Sequence, residues 1–209
     1  MRRIGILGGT FNPIHNGHVR IAAEAYEHFE LDEVLLIPSG YSYMKNEAEI
    51  AAAESRLKMA LLAVKDYPYM TVSDLEIKRK GPSFTYETIN QLRETYNKEV
   101  FYFIIGADTL YNMENWKEPE DIFNNVIIAV KVREHDFAEI TGKTDLIKQS
   151  DYLKAKYNAQ ISFLPGGKLN ISSRLIREKI SNNESISDLV PDDVAGYIAK
   201  FDLYNQAEV

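Results

Sequence analysis

Two stretches of this chain hold residue types suited to chemistry on an anionic ligand. The first is Gly8-Gly9-Thr10-Phe11-Asn12-Pro13-Ile14-His15-Asn16-Gly17-His18, which lies between an apolar run and a helical pattern. Adjacent glycines let backbone amides approach an anion without a Cβ in the way. Asn16 reads as a helix N-cap, which puts His18 in the first turn, where unpaired amides and the helix dipole favour phosphate. His15 and His18 straddle that start and can converge on one anion. Other readings stay open: the glycine pair can serve only a tight turn, and histidines at i, i+3 can form a metal pair. No carboxylate or cysteine lies at ligand spacing beside them, so no metal site is assigned.

The second stretch is Asn170-Ile171-Ser172-Ser173-Arg174-Leu175-Ile176-Arg177. On residue type alone, Ser172 or Ser173 is first an N-cap. Ser173 and Arg177, four apart on a helix, can also face one phosphate group. Isolated residues offer less. Ser83 or Thr85 can cap a helix after Gly81-Pro82, Asp108 can cap a short helix after a strand, and the sole tryptophan, Trp116, can simply pack. Lys45 and Arg133 are loop cations, solvated or salt-bridged on type alone. Two common nucleotide motifs are missing. There is no G-x-G-x-x-G, and the Gly142-Lys143-Thr144 triplet has Phe137 where a phosphate-binding loop needs its first glycine.

These residues need a scaffold. Apolar runs at Ile4–Leu7, Val34–Ile37, Met70–Ile77, Val100–Ile105, Val126–Val132 and Ile161–Leu164 read as strands. Most show little alternation, as strands covered on both faces do. Helical patterns fall between and after them at Gly17–Phe29, Ala48–Val64, Thr85–Tyr96, Asp145–Tyr157, Ser173–Ile180 and Asp192–Phe201. The alternation predicts an α/β fold: a doubly wound, mostly parallel sheet with helices on both faces and a short C-terminal helical region near 172–205. Ligands of such sheets bind beyond the carboxyl ends of the strands, which is where the glycine pair falls. The 209 residues are read as one domain.

Composition narrows the classes. The chain has 24 basic and 31 acidic residues, a net charge of −7 and a pI near 5.2. A broad nucleic-acid or anionic-membrane grip is excluded by that balance, though a local cationic pocket is not. With no cysteine there can be no disulfide, thiolate metal site or thiol nucleophile. The apolar stretch after Arg2-Arg3 is too short for a secretory core, and no run approaches the ~20 residues of a membrane span. A cytoplasmic location is expected, and homo-oligomerisation is left open.

The first stretch resembles the signature of the nucleotidyltransferases built on a Rossmann-like fold, whose hallmark is H-x-G-H. The resemblance implies transfer of a nucleoside monophosphate from a triphosphate to a phosphate-bearing acceptor, with His15 and His18 binding the triphosphate and steadying the leaving group. It also implies an ATP site that includes Gly8, Gly9, Thr10, Phe11 and Gly17. The second stretch is similar to the family's I-S-S-T-x-I-R element, which implies that Ile171, Ser172, Ser173 and Arg177 hold the β- and γ-phosphates. Arg174 stands where that element has threonine, and Asn12 where the family often has aspartate.

Further segments resemble the nicotinate mononucleotide adenylyltransferases of bacteria. They are Arg79-Lys80-Gly81-Pro82-Ser83-Phe84-Thr85, Gly106-Ala107-Asp108-Thr109-Leu110 and the following Trp116. On that resemblance Asp108 sits by the adenosine with Gly106 in the ATP site, Thr85 offers its backbone N–H to the acceptor's carboxylate, Ser83 belongs to the acceptor site, and Trp116 stacks on the pyridine ring. Lys45 would approach the phosphates, although the P-P-H-K element around the family's lysine is absent. The implied reaction joins ATP, carrying Mg²⁺, to nicotinate mononucleotide. The alternatives are nicotinamide mononucleotide or another phosphate acceptor, and a non-catalytic nucleotide-binding protein.

Overall fold

Runs such as Ile4-Gly5-Ile6-Leu7 and Val34-Leu35-Leu36-Ile37 are buried at nearly every position, so their side chains need cover on both faces. The computed structural model, which describes residues 1–40, 50–79, 81–96, 98–132, 145–167 and 170–205, meets that need with a single six-stranded parallel sheet. Its strands are β1 (Arg3–Gly9), β2 (Glu33–Pro38), β3 (Met70–Val72), β4 (Val100–Gly106), β5 (Ile127–Lys131) and β6 (Gln160–Leu164), in the order β3-β2-β1-β4-β5-β6. Ile4 stands opposite Phe101, Phe103 opposite Ile128 and Val130 opposite Phe163. The order reverses at β1, whose carboxyl end is the glycine turn. This is the Rossmann-like α/β fold expected from the alternation.

The helices are α1 (Asn16–His28), α2 (Ala53–Ala63), α3 (Leu75–Lys78), α4 (Thr85–Thr95), α5 (Ala107–Leu110), α6 (Pro119–Asn125), α7 (Asp145–Tyr157), α8 (Ser173–Ser181) and α9 (Asp192–Lys200), with a 3₁₀ turn at Met113–Asn115. Two compact units share these elements. One comprises residues 1–7, 22–35 and 84–168, and the other residues 8–21, 36–83 and 169–209. In the first, Lys131 at the end of β5 is nearly buried, donating to Glu24 at 2.5 Å and to the Pro165 carbonyl at 3.1 Å. In the second, α9 packs on α2, and Lys65 and Asp193 form a salt bridge.

Three local expectations are corrected. The apolar run 70–77 does not continue as a strand, because β3 stops at Val72 and α3 begins at Leu75. The Ser73 hydroxyl accepts the Leu75 N–H at 3.3 Å, and Asp74 bridges to Lys78 one turn on. Such local bonds favour a turn over a ladder. The second helix is shorter than read, starting at Ala53. Asn16 is the first helical residue and not the cap, since the His15 carbonyl accepts the Val19 N–H at 3.4 Å; the Asn16 side-chain Nδ2 donates to the Asp188 carbonyl at 3.1 Å. Residues 107–125 fold as short helices that no long periodic pattern announces.

One close approach fixes the loop after β2. A Cβ on Gly40 would lie 2.2 Å from the Glu76 carbonyl oxygen, a backbone atom that cannot swing aside. Gly40→Ala is expected to cost about 1–3 kcal/mol through forced backbone movement. Urea denaturation of the variant checks this, and an unchanged midpoint would show that the α3 segment yields freely.

Candidate active site

Unit by unit, the residues singled out in the sequence fall into two groups. In the unit containing residues 8–21, the turn after β1 is held by side chains distant in sequence. Three successive regions of it present carbonyls. Arg56 Nη1 donates to the Thr10 oxygen at 2.8 Å, Arg177 Nη1 to the Asn12 oxygen at 2.9 Å, and Ser173 Oγ to the Pro13 oxygen at 2.8 Å. The Asn12 side chain is buried, and its Oδ1 accepts the Ala51 N–H at 3.0 Å. Phe11 is 2% exposed and takes the left-handed backbone conformation, φ 48°. For an aromatic residue that is a strained conformation, of the kind found where the surroundings over-determine a functional turn.

The two histidines meet at the start of α1. Their rings stack with centroids 3.7 Å apart and planes 24° apart, and the Phe11 ring meets His18 edge-on at 4.9 Å. The His15 backbone N–H donates to His18 Nδ1 at 3.3 Å. This reproduces a capping box with imidazole in place of a carboxylate, because the third helical residue reaches back to the cap's amide. The bond needs Nδ1 unprotonated, so the ring proton of His18 sits on Nε2. Gly17 makes the stack possible, since a Cβ there would lie 2.9 Å from His15 Nδ1. His15 is buried, with Nδ1 unpartnered among the described residues. Burial lowers its pKa from 6.5 to about 4, against a smaller opposing effect from its backbone hydrogen bond. At neutral pH His15 is therefore an uncharged imidazole.

The C-terminal stretch divides its work. The Ser172 hydroxyl caps α8 by accepting the Leu175 N–H at 3.1 Å, as residue type alone suggests. Ser173 and Arg177 share a face, and that face grips the turn carbonyls at residues 12 and 13. Arg174 is 83% exposed at its side chain and bridges Glu178 at 2.7 Å, so the residue in the place of a threonine points to solvent. Beside α8 lies a cleft of about 740 Å³ whose lining includes Ala51, Arg177, Ser181 and Tyr204. Ser83 also belongs to this unit. It caps no helix, its hydroxyl accepting the Gly40 N–H at 3.2 Å instead.

The other unit holds the remaining candidates. Gly106 ends β4 exposed, and Asp108 lies in the first turn of α5, also exposed. Thr85 is the first residue of α4, which leaves its N–H among those without an intrahelical acceptor. Trp116 is half-buried and meets Phe103 edge-on at 6.2 Å, so it is neither a core residue nor a free surface one. Lys117 Nζ sits 4.4 Å above the Phe84 ring. The turn before Trp116 is riveted by Glu114, whose carboxylate accepts from Lys156 at 2.8 Å, Tyr157 at 3.1 Å and Tyr152 at 3.2 Å. Lys45 and Arg133 lie outside the described residues. Among those described, no cluster of three or more histidine or acidic side chains gathers to hold a metal.

Comparison with known proteins gives the arrangement a family. Residues 6–179 match the model of the cytidylyltransferase-like family. A "Probable nicotinate-nucleotide adenylyltransferase" of Clostridium acetobutylicum is 39% identical over 98% of this chain and the whole of its own length. The chain belongs to the nicotinate-nucleotide adenylyltransferase family. Another member, from Clostridium perfringens, is 37% identical over 99% of this chain and its own full length. The fold is also that of the Plasmodium falciparum nicotinic acid mononucleotide adenylyltransferase complexed with NaAD, at a TM-score of 0.77 with 20% identity and 98% of each chain covered. The segment that carries the family hallmark is thus the segment that stacks the histidines. Arg56 escaped the sequence reading altogether, because an arginine within a helical pattern looks like any solvated charge.

The buried imidazole makes stability depend on acidity. The unfolded state takes up a proton near pH 6.5 and the folded state only near 4, so between these values the unfolded state binds more protons. Stability from this group is complete above about pH 6.5 and falls by up to about 3 kcal/mol as pH drops toward 4. Denaturant midpoints at several pH values should show this acid limb flattened in His15→Asn. Parallel curves for both proteins would contradict the burial of an uncharged His15.

Proposed function

We propose that the chain transfers AMP from ATP to nicotinate mononucleotide, forming nicotinate adenine dinucleotide and pyrophosphate. The observation that carries this reading is the stacked His15–His18 pair at the amino end of α1, directly after the glycine turn. Its full-length family relatives support the nicotinate acceptor. An oxygen of the acceptor's phosphate attacks the α-phosphorus in line, the bond to the bridging oxygen breaks, and pyrophosphate leaves; Mg²⁺ carried with ATP would offset part of the phosphate charge. No covalent enzyme intermediate is needed. The protein's task is alignment and charge stabilisation.

Each group has a role suited to its setting. His18, with its proton on Nε2, donates toward the charge that grows on the leaving group. Neutral His15 orients His18 and donates without adding a charge that burial would penalise. Gly8, Gly9, Thr10, Phe11 and Gly17 bring amides to the triphosphate at the helix start, where the dipole favours anions. Ser172 and Ser173 set the pose of α8 beside Ile171, and Arg177 and Lys45 balance phosphate charge. Gly106 and Asp108 receive the adenosine, while Ser83, Thr85 and Trp116 receive the acceptor. The reaction calls for no nucleic-acid or membrane partner and suits the cytoplasm; a homo-oligomer is compatible with it.

Pyrophosphate release measured with ATP and nicotinate mononucleotide, nicotinamide mononucleotide or phosphopantetheine in parallel tests the reaction. Fastest turnover is expected with the first, and equal or absent turnover with it would sink the acceptor assignment. His18→Ala should lower turnover at least ~10²-fold, the loss that follows removal of one charge-stabilising donor. Near-normal rates would remove His18 from the mechanism. Trp116→Ala should raise KM for the acceptor about tenfold while leaving KM for ATP unchanged, as lost base stacking predicts.

A further inference from the structure

Arg56 carries a buried charge. Its side chain is 2% exposed, and in α2 it points inward among apolar neighbours such as Met59 and Ala60. A guanidinium has five N–H donors in a rigid fork. Four of them are used here. Nε donates to the Ala51 oxygen at 2.9 Å, Nη1 to the Thr10 oxygen at 2.8 Å and the Ser39 oxygen at 2.7 Å, and Nη2 to the Gly40 oxygen at 3.0 Å. All four acceptors are neutral carbonyls. Among the described residues no carboxylate hydrogen-bonds Arg56; the nearby Glu54 charge acts on it only through space and less strongly than burial does. Taking a cation out of water without a hydrogen-bonded carboxylate costs several kcal/mol, to the order of magnitude, and burial accordingly lowers its pKa despite the opposing effect of Glu54. Apolar packing alone would fill this position at less cost.

The geometry of the peptide unit shows what the cost secures. In a trans peptide the C=O and N–H point in opposite directions. With the Thr10 carbonyl turned toward the guanidinium, the Phe11 N–H faces away from it. The same reasoning at Ser39 turns the Gly40 N–H away, and that N–H is found on the Ser83 hydroxyl at 3.2 Å. One side chain therefore sets the direction of an amide in the glycine turn and ties that turn to the loop after β2 and the start of α2.

We propose that Arg56 is a positioning residue for ATP: it aims the Phe11 amide at the triphosphate and sets a buried positive charge behind the turn. The idea rests on the adenylyl-transfer reading and deepens its ATP site. Arg56 touches only protein and acts through the turn. The charge and the fork separate in substitution, because lysine keeps the charge and cannot reach four carbonyls.

The experiment compares wild type with Arg56→Lys and Arg56→Met, measuring kcat, KM for each substrate, and ATP binding by calorimetry below the unfolding transition. Arg56→Lys should raise KM and Kd for ATP about tenfold, with kcat reduced and KM for nicotinate mononucleotide unchanged, within the loss expected from a misplaced binding group. Arg56→Met, where folded, should be worse for ATP than Arg56→Lys. A lower melting temperature with unaltered ATP binding in Arg56→Lys would overturn the proposal, as would equal losses for both substrates. Wild-type protein that binds ATP but turns over no acceptor would refute the adenylyl-transfer reading, and the Kd comparison would still decide the role of Arg56.

Discussion

The turn after the first strand does not satisfy its own carbonyls at Thr10, Asn12 and Pro13, and side chains of α2 and α8 make up the shortage. A chain that leaves a strand and enters a helix within a few residues makes few ladder bonds, yet residues 11–15 are all buried. Buried carbonyls need donors. Arg56 supplies one to Thr10, Arg177 one to Asn12, and Ser173 one to Pro13. Because these donors come from α2 and α8, the turn is gripped by elements far away in sequence. Such external holding lets Phe11 keep a backbone conformation that an isolated peptide would leave.

Charge is distributed economically around this turn. Excess acidic residues give the whole chain −7, yet the turn is approached by arginines from two helices. The buried histidine, His15, is kept uncharged, so it adds no cation to those of the neighbouring arginines. An imidazole that stays neutral serves as a donor without paying for desolvation of a cation. The stack of two rings and the backbone-to-Nδ1 bond fix which nitrogen of His18 carries its proton, and so which way that donor can face.

What could be read in advance follows from how local each signal is. Strands β1, β2 and β4 appear as dense apolar runs because both of their faces are covered, and the histidine motif is contiguous. The Met70–Ile77 run misled because Ser73 and Asp74 make short-range bonds that start a helix, a competition invisible to hydrophobic pattern alone. Asn16 looked like a cap, but its side-chain amide is drawn to the Asp188 carbonyl more than a hundred residues away in sequence. Arg56 gave no sign of its importance because all its partners are backbone oxygens, which carry no side-chain signature. The two serines showed the same limit: that one caps α8 while its neighbour reaches Pro13 depends on tertiary placement.

The grip of α8 on the first turn joins residues separated by 160 and 165 positions in sequence. Two of the turn's three side-chain donors thus lie far along the chain from the carbonyls they serve, while the third, Arg56, is nearer. A chain without residues 173–177 keeps its strands and its histidines but lacks the donors to the Asn12 and Pro13 carbonyls. Contacts of such long range make the closing of this turn a non-local step of folding, and non-local steps are slow because loop closure must come before the contacts reward it.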